Sequence, residues 1–443
     1  MKGKKFLALI GSLFLVLALV LPFASGCTGE GPGPTGNYII LGAPLSEAYP
    51  DGAAAKENLQ LAVNKINTAG GVTVGNTTYN LTLISRDTRD LEPGVPVSEA
   101  LTVVTKLITQ DKADFIVGGP IRSEAALAAM DTVSNAQVVT IFAAGFLSPL
   151  FGSTFASNPT KYKYCFRTQG GTGPLVGEAV TILTALNSSL DLSNSGAHAP
   201  RAWIVYQNVG HGIGASTAIN GNLTALGWNI TGISAVTTGD ATPFPAILSS
   251  ANSSQTQILF MWFDMPASSN LITTWAAAQY NMLPVGFIVP ALDSLAWNST
   301  LGAIQYVVDV YPKAGITPWN TAAANYISAY QTAGLYGGVP ARTWVGPTCY
   351  EVPYIIKDAV ERAGSLADNA VIAALEATNL TGPYGIVSFG ATHDIVGGAN
   401  QNPATGAITT WVQWQAGAVQ KAVYPDAVGN ISDVVAPSWG INP

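Results

Sequence analysis

Charge is what this 443-residue chain has least of: only 10% of its residues are Asp, Glu, Lys or Arg, against a hydrophobic share of 48%. The net charge is −7 and the sequence pI is near 4.9. After the first five residues no Lys/Arg cluster interrupts the acidic balance, so nothing is suited to neutralise a phosphate backbone, and nucleic acid is excluded as a partner. The apolar content equally excludes a disordered chain. Histidine is scarce too. His198, His211 and His393 are the only three, and none is spaced with Cys, Asp or Glu as a metal-ligand set requires. No Gly-x-Ser-x-Gly elbow and no Walker loop occurs. The reading is of a chain without cofactor, metal or catalytic centre.

Long apolar runs are absent after residue 27. Before it, Lys2, Lys4 and Lys5 precede an almost wholly apolar stretch from Phe6 to Phe23, and "ASGC" puts small residues just before Cys27. This is the pattern of an export signal. Two readings of its end stay open. In one, the segment is cut and Cys27 is lipidated, although Ala24 stands where a lipobox usually has Leu. In the other, the apolar run remains as a signal anchor, since it is just long enough to span a bilayer. Either way the body is held at the outer face of the cytoplasmic membrane. Residues 28–37, "TGEGPGPTGN", have nothing to bury and read as a flexible tether.

Cysteine is nearly absent: besides Cys27 there are only Cys165 and Cys349. An exported chain permits a disulfide between them, and two buried thiols is the alternative. Asparagine is plentiful. Nine Asn-x-Ser/Thr sites occur, at Asn76, Asn80, Asn187, Asn222, Asn229, Asn252, Asn298, Asn379 and Asn430. With export, they suggest a glycosylated face such as an archaeal cell surface carries.

The remaining sequence alternates strand-like and helix-like segments. "YIILGAPL" (38–45) reads as a strand, and a helix follows from Asp51 as N-cap to a stop at Gly70-Gly71, with Ala55, Leu59, Ala62, Val63 and Ile66 on one face. "YNLTLISRDT" (79–88) is a strand. "PVSEALTVVTKLITQD" (96–111) is a helix with Leu101, Val104, Thr105 and Ile108 on its inner side. Strand "DFIVGG", helix 124–134 and strand "QVVTIFAA" continue the series. A second series runs from "RAWIVYQN" (201–208) through helix 212–227, "WNITGISAVT", a helix near 244–252, "QILFMWF", helix 268–281 and "VGFIVP". Such alternation means parallel sheets covered by helices on both faces, and two series mean two α/β lobes. Near the C-terminus "YGIVSFG" and "TTWVQWQAG" flank a polar loop and read as a hairpin.

"VGGPIRSEAALAAM" (117–130) is the junction where function is expected. An apolar strand hands over to a helix through Gly118-Gly119-Pro120, with Arg122 and Ser123 at the turn. In open α/β sheets ligands lie at the carboxyl ends of strands, and the free amides of a helix start attract an anion. Ser123 caps the helix or donates its hydroxyl to a carboxylate, and Arg122 adds positive charge. The plainer alternative is an N-cap with Arg122 in solvent. Asp87 and Asp90, flanking Arg89, read as a surface ion pair. Trp262, Trp275, Trp297, Trp319 and Trp344 read as core or rim, with Trp262 and Phe263 close enough to the crevice to stack on a ligand.

The stretch "YIILGAPLSEAYPDGAAAKENLQLAVNKINTAGGV" (38–72) resembles the opening of the branched-chain amino-acid-binding proteins, the type I periplasmic solute-binding subunits of ABC importers. Gly42, Pro44, Leu45, Ser46, Gly52, Ile66, Asn67, Gly70 and Gly71 carry the likeness. "ISRDT" (84–88), "VGGPIRSEA" (117–125), "YKYCFRT" (162–168) and "DATPFPAIL" (240–248) extend it to about residue 425. The resemblance implies two doubly wound parallel-sheet lobes joined by a multi-strand hinge: 38–166 and 311–384 as lobe 1, 167–310 and 385–425 as lobe 2, and 426–443 as a tail. It implies a monomer that closes on an amino acid or related small carboxylate and delivers it to ABC permease subunits. The carboxylate would bind at Ser123, with Arg122 beside it, and at the backbone of Ala143, Ala144 and Gly145. Gly145-Phe146 stands where the family usually has Thr. Tyr49 would cover the ligand. His211, in "HGIG", falls where an aromatic commonly sits. The ammonium acceptor would be Asp293, two residues beyond the matching Ala291, or Asp264.

Two other readings remain. The same fold serves as the sensing domain of receptors, although a chain reaching Pro443 without a further membrane-length run favours the importer. "GHGIGA" (210–215) matches a dinucleotide fingerprint and keeps an oxidoreductase as a remote alternative, but Asp240 lies beyond the place where the acidic partner is needed.

Overall fold

The computed structural model describes residues 36–311, 317–335 and 344–443. The export segment, Cys27 and all but the last two residues of the tether lie outside the described residues.

The first strand, β1 (Tyr38–Leu45), is apolar along most of its length because the sheet is covered on both faces. Its odd positions, Ile39, Leu41, Ala43 and Leu45, enter the main core cluster, while Ile40 packs against a second cluster behind the sheet. After it come α1 (Pro50–Thr68), β2 (Val72–Val74), β3 (Thr77–Asp87), α2 (Val97–Thr109), β4 (Phe115–Gly118), α3 (Ser123–Ala136), β5 (Thr140–Phe142), α4 (Leu150–Ser157), α5 (Pro159–Tyr162) and β6 (Cys165–Arg167). The strands assemble as β2-β3-β1-β4-β5-β6, all parallel except β2, which runs antiparallel to β3.

The chain then enters a second lobe through α6 (Thr172–Ser189), β7 (Arg201–Gln207), α7 (Gly210–Ala225), β8 (Asn229–Val236), α8 (Phe244–Ser253), β9 (Ile258–Phe263), α9 (Ser268–Ala278), β10 (Leu283–Ile288), α10 (Val289–Leu292), α11 (Ala296–Ser299) and β11 (Val308–Tyr311). It returns to the first lobe as α12 (Thr321–Thr332) and α13 (Gly346–Ala363), both packed on α1, with α14 (Asp368–Glu376) against α13. A two-stranded ribbon of β12 (Leu380–Gly382) and β13 (Gly385–Val387) follows. Finally β14 (Thr410–Gln415) and β15 (Val419–Tyr424) join the second sheet, giving the order β15-β14-β11-β10-β9-β7-β8. The α/β architecture of two doubly wound lobes is therefore present, and the chain passes between them three times.

Several sequence expectations need correcting. α1 begins one residue before Asp51, with Tyr49 in the capping position and Pro50 in the first turn, where its missing N–H costs nothing. Its predicted inner face is buried as expected. α2 is rotated: Ala100, Val104 and Leu107 are buried, while Leu101 and Ile108 only flank the cluster. The C-terminal hairpin is not formed as predicted. β13 is taken by β12 across the tight Pro383-Tyr384 turn, and β14 pairs with β11 and β15. The three-residue β14–β15 loop, 416–418, puts Gly417 and Ala418 at φ 78° and 63°, the left-handed backbone its tight reversal uses. Cys165 and Cys349 are not bonded: both are free and buried, in separate core clusters. Burial pushes the Cys165 thiol up to about 12 and the Cys349 thiol higher still.

Candidate functional site

Strand order locates the site. In the first sheet the order reverses between β1 and β4, and in the second between β7 and β9. Loops leaving the carboxyl ends of strands diverge at such a reversal and open a crevice. The loops concerned are 46–49 and 119–122 in lobe 1, and 208–209 and 264–267 in lobe 2. Tyr49, Arg122 with Ser123, His211 and Asp264 all fall on or beside them.

The lobe 1 turn is tighter than the sequence suggested. A side chain on Gly119 would place its first carbon 2.2 Å from the Pro44 carbonyl oxygen, so only glycine fits there. The N–H groups of Ile121 and Arg122 both donate to Asp90 Oδ2, at 2.8 and 2.7 Å. Asp90 is fully buried, and Thr88 donates to its other oxygen. Burial raises the Asp90 carboxyl's pKa despite these bonds. Asp90 is thus no surface ion-pair residue. Arg89 pairs with Glu92 and Glu99, and Asp90 supplies from within the chain the anion that this turn attracts. Ser123 does not cap α3 but is its first residue, with Arg122 in the capping position and no side-chain cap. Arg122 donates to the Val95 carbonyl at 3.2 Å and lies 3.8 Å from Glu124. Among the described residues, the amides still open at this rim are those of the first helical turn, Ser123 to Ala125, ahead of the Ala126-to-Arg122 bond.

At the next strand end, the N–H groups of Ala143 and Ala144 both donate to the Gly118 carbonyl. Gly145 follows at φ +104°. The Thr348 hydroxyl, in the first turn of α13, lies 2.8 Å from the Ala143 carbonyl and 2.9 Å from Gln169 Oε1, and its single proton serves one of them at a time. Gln169 Nε2 is buried and has no partner among the described residues. Phe146 does not belong to the crevice. It packs edge-on to Phe142, centroids 5.1 Å apart, in the cluster behind the sheet, and the Arg167 guanidinium lies over its ring. Arg167, 2% exposed, is held by the Phe146 and Ser148 carbonyls and by Asp394, so the passage between the lobes is pinned at this point.

Lobe 2 contributes a linked set. Trp262 Nε1 donates to His211 Nδ1 at 3.0 Å, and His211 Nε2 lies 2.9 Å from Asp264 Oδ2. Because the indole N–H can only donate, Nδ1 must accept, and the ring proton sits on Nε2 facing the carboxylate. His211 is therefore neutral in this arrangement, and the set carries the full negative charge of Asp264. Burial opposes that charge, while hydrogen bonds from the His211 Nε2–H, Gln207 and the backbone favour it. Gln207 Oε1 fixes the loop by accepting from the N–H groups of Asp264 and Met265. Strand alternation separates Trp262 from Phe263: Trp262 faces the main core toward Phe287, whereas Phe263 points to the opposite face against Phe244. Phe263 is thus excluded from the site. Asp293 lies beyond α10, where its Oδ1 accepts from the Leu295 N–H.

The two rims meet. Glu124 Oε1 lies 3.7 Å from where a side-chain carbon on Gly210 would be, and Trp344 of lobe 1 packs edge-on to Phe287 of lobe 2 at 5.5 Å. The "GHGIGA" glycines also have a packing reason. A carbon on Gly212 would stand 2.1 Å from the Gln207 carbonyl, so the helix–strand approach requires glycine without any dinucleotide.

Residues 43–405 match the family described as periplasmic binding protein. The chain belongs to that family. This periplasmic binding protein is of type I, and its family is extracytoplasmic, solute-binding and not enzymatic. Among the described residues no helix is long and apolar enough to cross a membrane. Solved structures share the fold. A Silicibacter pomeroyi protein described as a branched-chain amino acid ABC transporter superposes with a TM-score of 0.75 at 17% identity, covering 91% of this chain and 100% of its own. LivJ from Streptococcus pneumoniae in complex with isoleucine gives 0.68 at 17%, covering 88% and 100%. A solute-binding protein from R. palustris in complex with benzoate gives 0.63 at 18%, covering 89% and 99%. No curated protein matches the chain.

Proposed function

We propose that this periplasmic binding protein captures an amino acid or related small carboxylate between its lobes for an ABC importer. The observation that carries this reading is the pairing of the two strand-order reversals, with the Ser123 rim on one side and the His211–Asp264 set on the other. The negative end of the ligand would meet the open amides and hydroxyl of Ser123, the neighbouring Arg122 and the Gly145 backbone, under Tyr49. Its ammonium, where it has one, would meet Asp264. A zwitterion leaving water loses several kcal/mol per charge unless each end is so met. Closure of the lobes supplies both ends at once and excludes water. The structures holding isoleucine and benzoate lend support, because both are small carboxylates gripped by this fold. Export through the N-terminal segment, anchoring through Cys27 and glycans on the Asn sites belong to the same reading. A thermal-shift screen over amino acids and aromatic acids tests it, since a bound ligand raises the melting point by mass action. The joint change Ser123→Ala, Arg122→Ala is expected to weaken any hit more than tenfold, and unchanged affinity would place the carboxylate elsewhere.

A further inference from the structure

A cavity of about 930 Å³ lies on the flank of lobe 1, bounded by α1, α12, α13 and β12. It is remote from the crevice. Tyr49 marks the crevice end of α1, and Leu61 and Lys65, which line the cavity, lie about 18–24 Å further along that helix by its rise per residue.

Glu351 of α13 is the unusual group in its wall. It is 6% exposed and makes no hydrogen bond or ion pair among the described residues. The ribbon closes over it: a side-chain carbon on Gly382 would lie 3.2 Å from the Glu351 carboxyl carbon. The charged neighbours are matched among themselves. Lys357 is bound to Glu361 and to the Gly71 carbonyl, and Asp358 to Arg362. Lys65 stands exposed on α1. Tyr350 and Tyr354 share a hydrogen bond at 3.2 Å, and the buried Tyr384 hydroxyl, within electrostatic reach of Glu351, has no partner among the described residues. Burial alone pushes the Glu351 carboxyl up to about 8, so near neutrality it holds its proton and costs little to bury. A buried carboxyl opening onto a cavity calls for a donor, and a cation would let it ionise. The rings of Tyr350 and Tyr354 favour the same charge.

We propose that this cavity is a second binding site, one that takes a primary alkylammonium, its nitrogen on the Glu351 carboxylate and its carbon chain along Leu61, Ala329 and Leu380. On binding, the Glu351 O–H bond breaks, its proton passes to the buffer, and the carboxylate pairs with the incoming ammonium. The site is independent of the crevice reading.

Titration of the full chain with n-butylammonium at pH 7, in two buffers of different ionisation enthalpy, tests it. One saturable site per chain is expected, with release of about 0.9 proton, the protonated fraction of a group titrating near 8. Glu351→Gln reproduces the neutral acid in shape and is expected to fold and to weaken the amine at least tenfold. The same variant should leave the response to isoleucine and benzoate in the crevice unchanged. Proton release is read on the unmodified protein and needs no variant. No saturable heat, binding without proton release, or equal affinity in Glu351→Gln would overturn the proposal while leaving the crevice untouched.

Discussion

Replacing Asp264 by Asn asks whether the crevice is built for a zwitterion. The substitution keeps the shape and the contact with His211 but removes the charge. Two unit charges 4 Å apart attract by about 4 kcal/mol at an effective dielectric constant of 20. The Asp264 side chain is 38% exposed, so solvent screens part of that. The expected loss is about 1.5–3 kcal/mol, the range for a hydrogen bond to a charged group, or about 10- to 150-fold in Kd. It should fall on isoleucine and not on benzoate, which has no ammonium and would be repelled less once the carboxylate is gone. Calorimetry on both ligands, with wild type and variant, reads the difference. That discrimination depends on a neutral His211. A cationic imidazole would already cancel Asp264, and the variant would then treat both ligands alike. Equal weakening of isoleucine and benzoate, or no change in either, would therefore refute both the ammonium role and the tautomer deduced from Trp262.

The other expectations concern stability and reactivity. Arg167→Met leaves Asp394 and two carbonyls without their donor, and should cost about 3–5 kcal/mol in urea denaturation. Cys165 and Cys349 should resist a thiol reagent in the native protein and react fully once it is unfolded; rapid labelling of either in the native state would contradict their burial. Glu351 gives a pH dependence. Its folded value of about 8 lies above the ordinary 4.5, so between these limits the folded state holds a proton that the unfolded state has lost. Its contribution to stability is then largest at the acid end and falls by about 1.4 kcal/mol per unit as pH rises toward 8. Glu351→Gln should remove that slope, making the variant more stable than wild type at pH 8 in paired chemical denaturations. Equal slopes would show that the carboxyl finds a partner.

Much of the fold was legible because its signals are local. Apolar runs of strand length, helical spacing such as Ala55–Leu59–Ala62–Ile66, and Gly or Pro at the joints come from backbone sterics and burial, which a short window records. What was missed depended on partners distant in sequence. β13 could not be matched correctly because its pairing is settled by the two-residue turn to β12, and β14 by strands on either side of it in space. The rotation of α2 reflects where α3 and β1 lie, and no periodicity within α2 contains that. At the site, the parity of positions within β9 would have separated Trp262 from Phe263, because adjacent residues in a strand cannot face the same way. Phe146 has φ +57°, a backbone turn that sends its ring behind the sheet and that nothing in "AAGF" announces.

Asp90 shows why a motif can be read for the right chemistry and the wrong partner. The turn at Gly119–Ser123 does attract an anion, as free amides at a helix start must. But a carboxylate from the chain itself, 31 residues upstream of Ile121, satisfies two of those amides before any ligand arrives. The crevice is thereby given a rigid wall. The Ile121 and Arg122 amides no longer contribute to affinity, and they hold the next turn of amides in place at no reorganisation cost when a ligand binds. Under the proposed function recognition would then be shared out: anion binding would pass to the first turn of α3, and the charge that discriminates one carboxylate from another to Asp264 across the crevice. A sequence in which Asp90 were lost and Asp264 kept would retain a preference for zwitterions while binding all carboxylates more weakly, because the wall would loosen and the selecting charge would not.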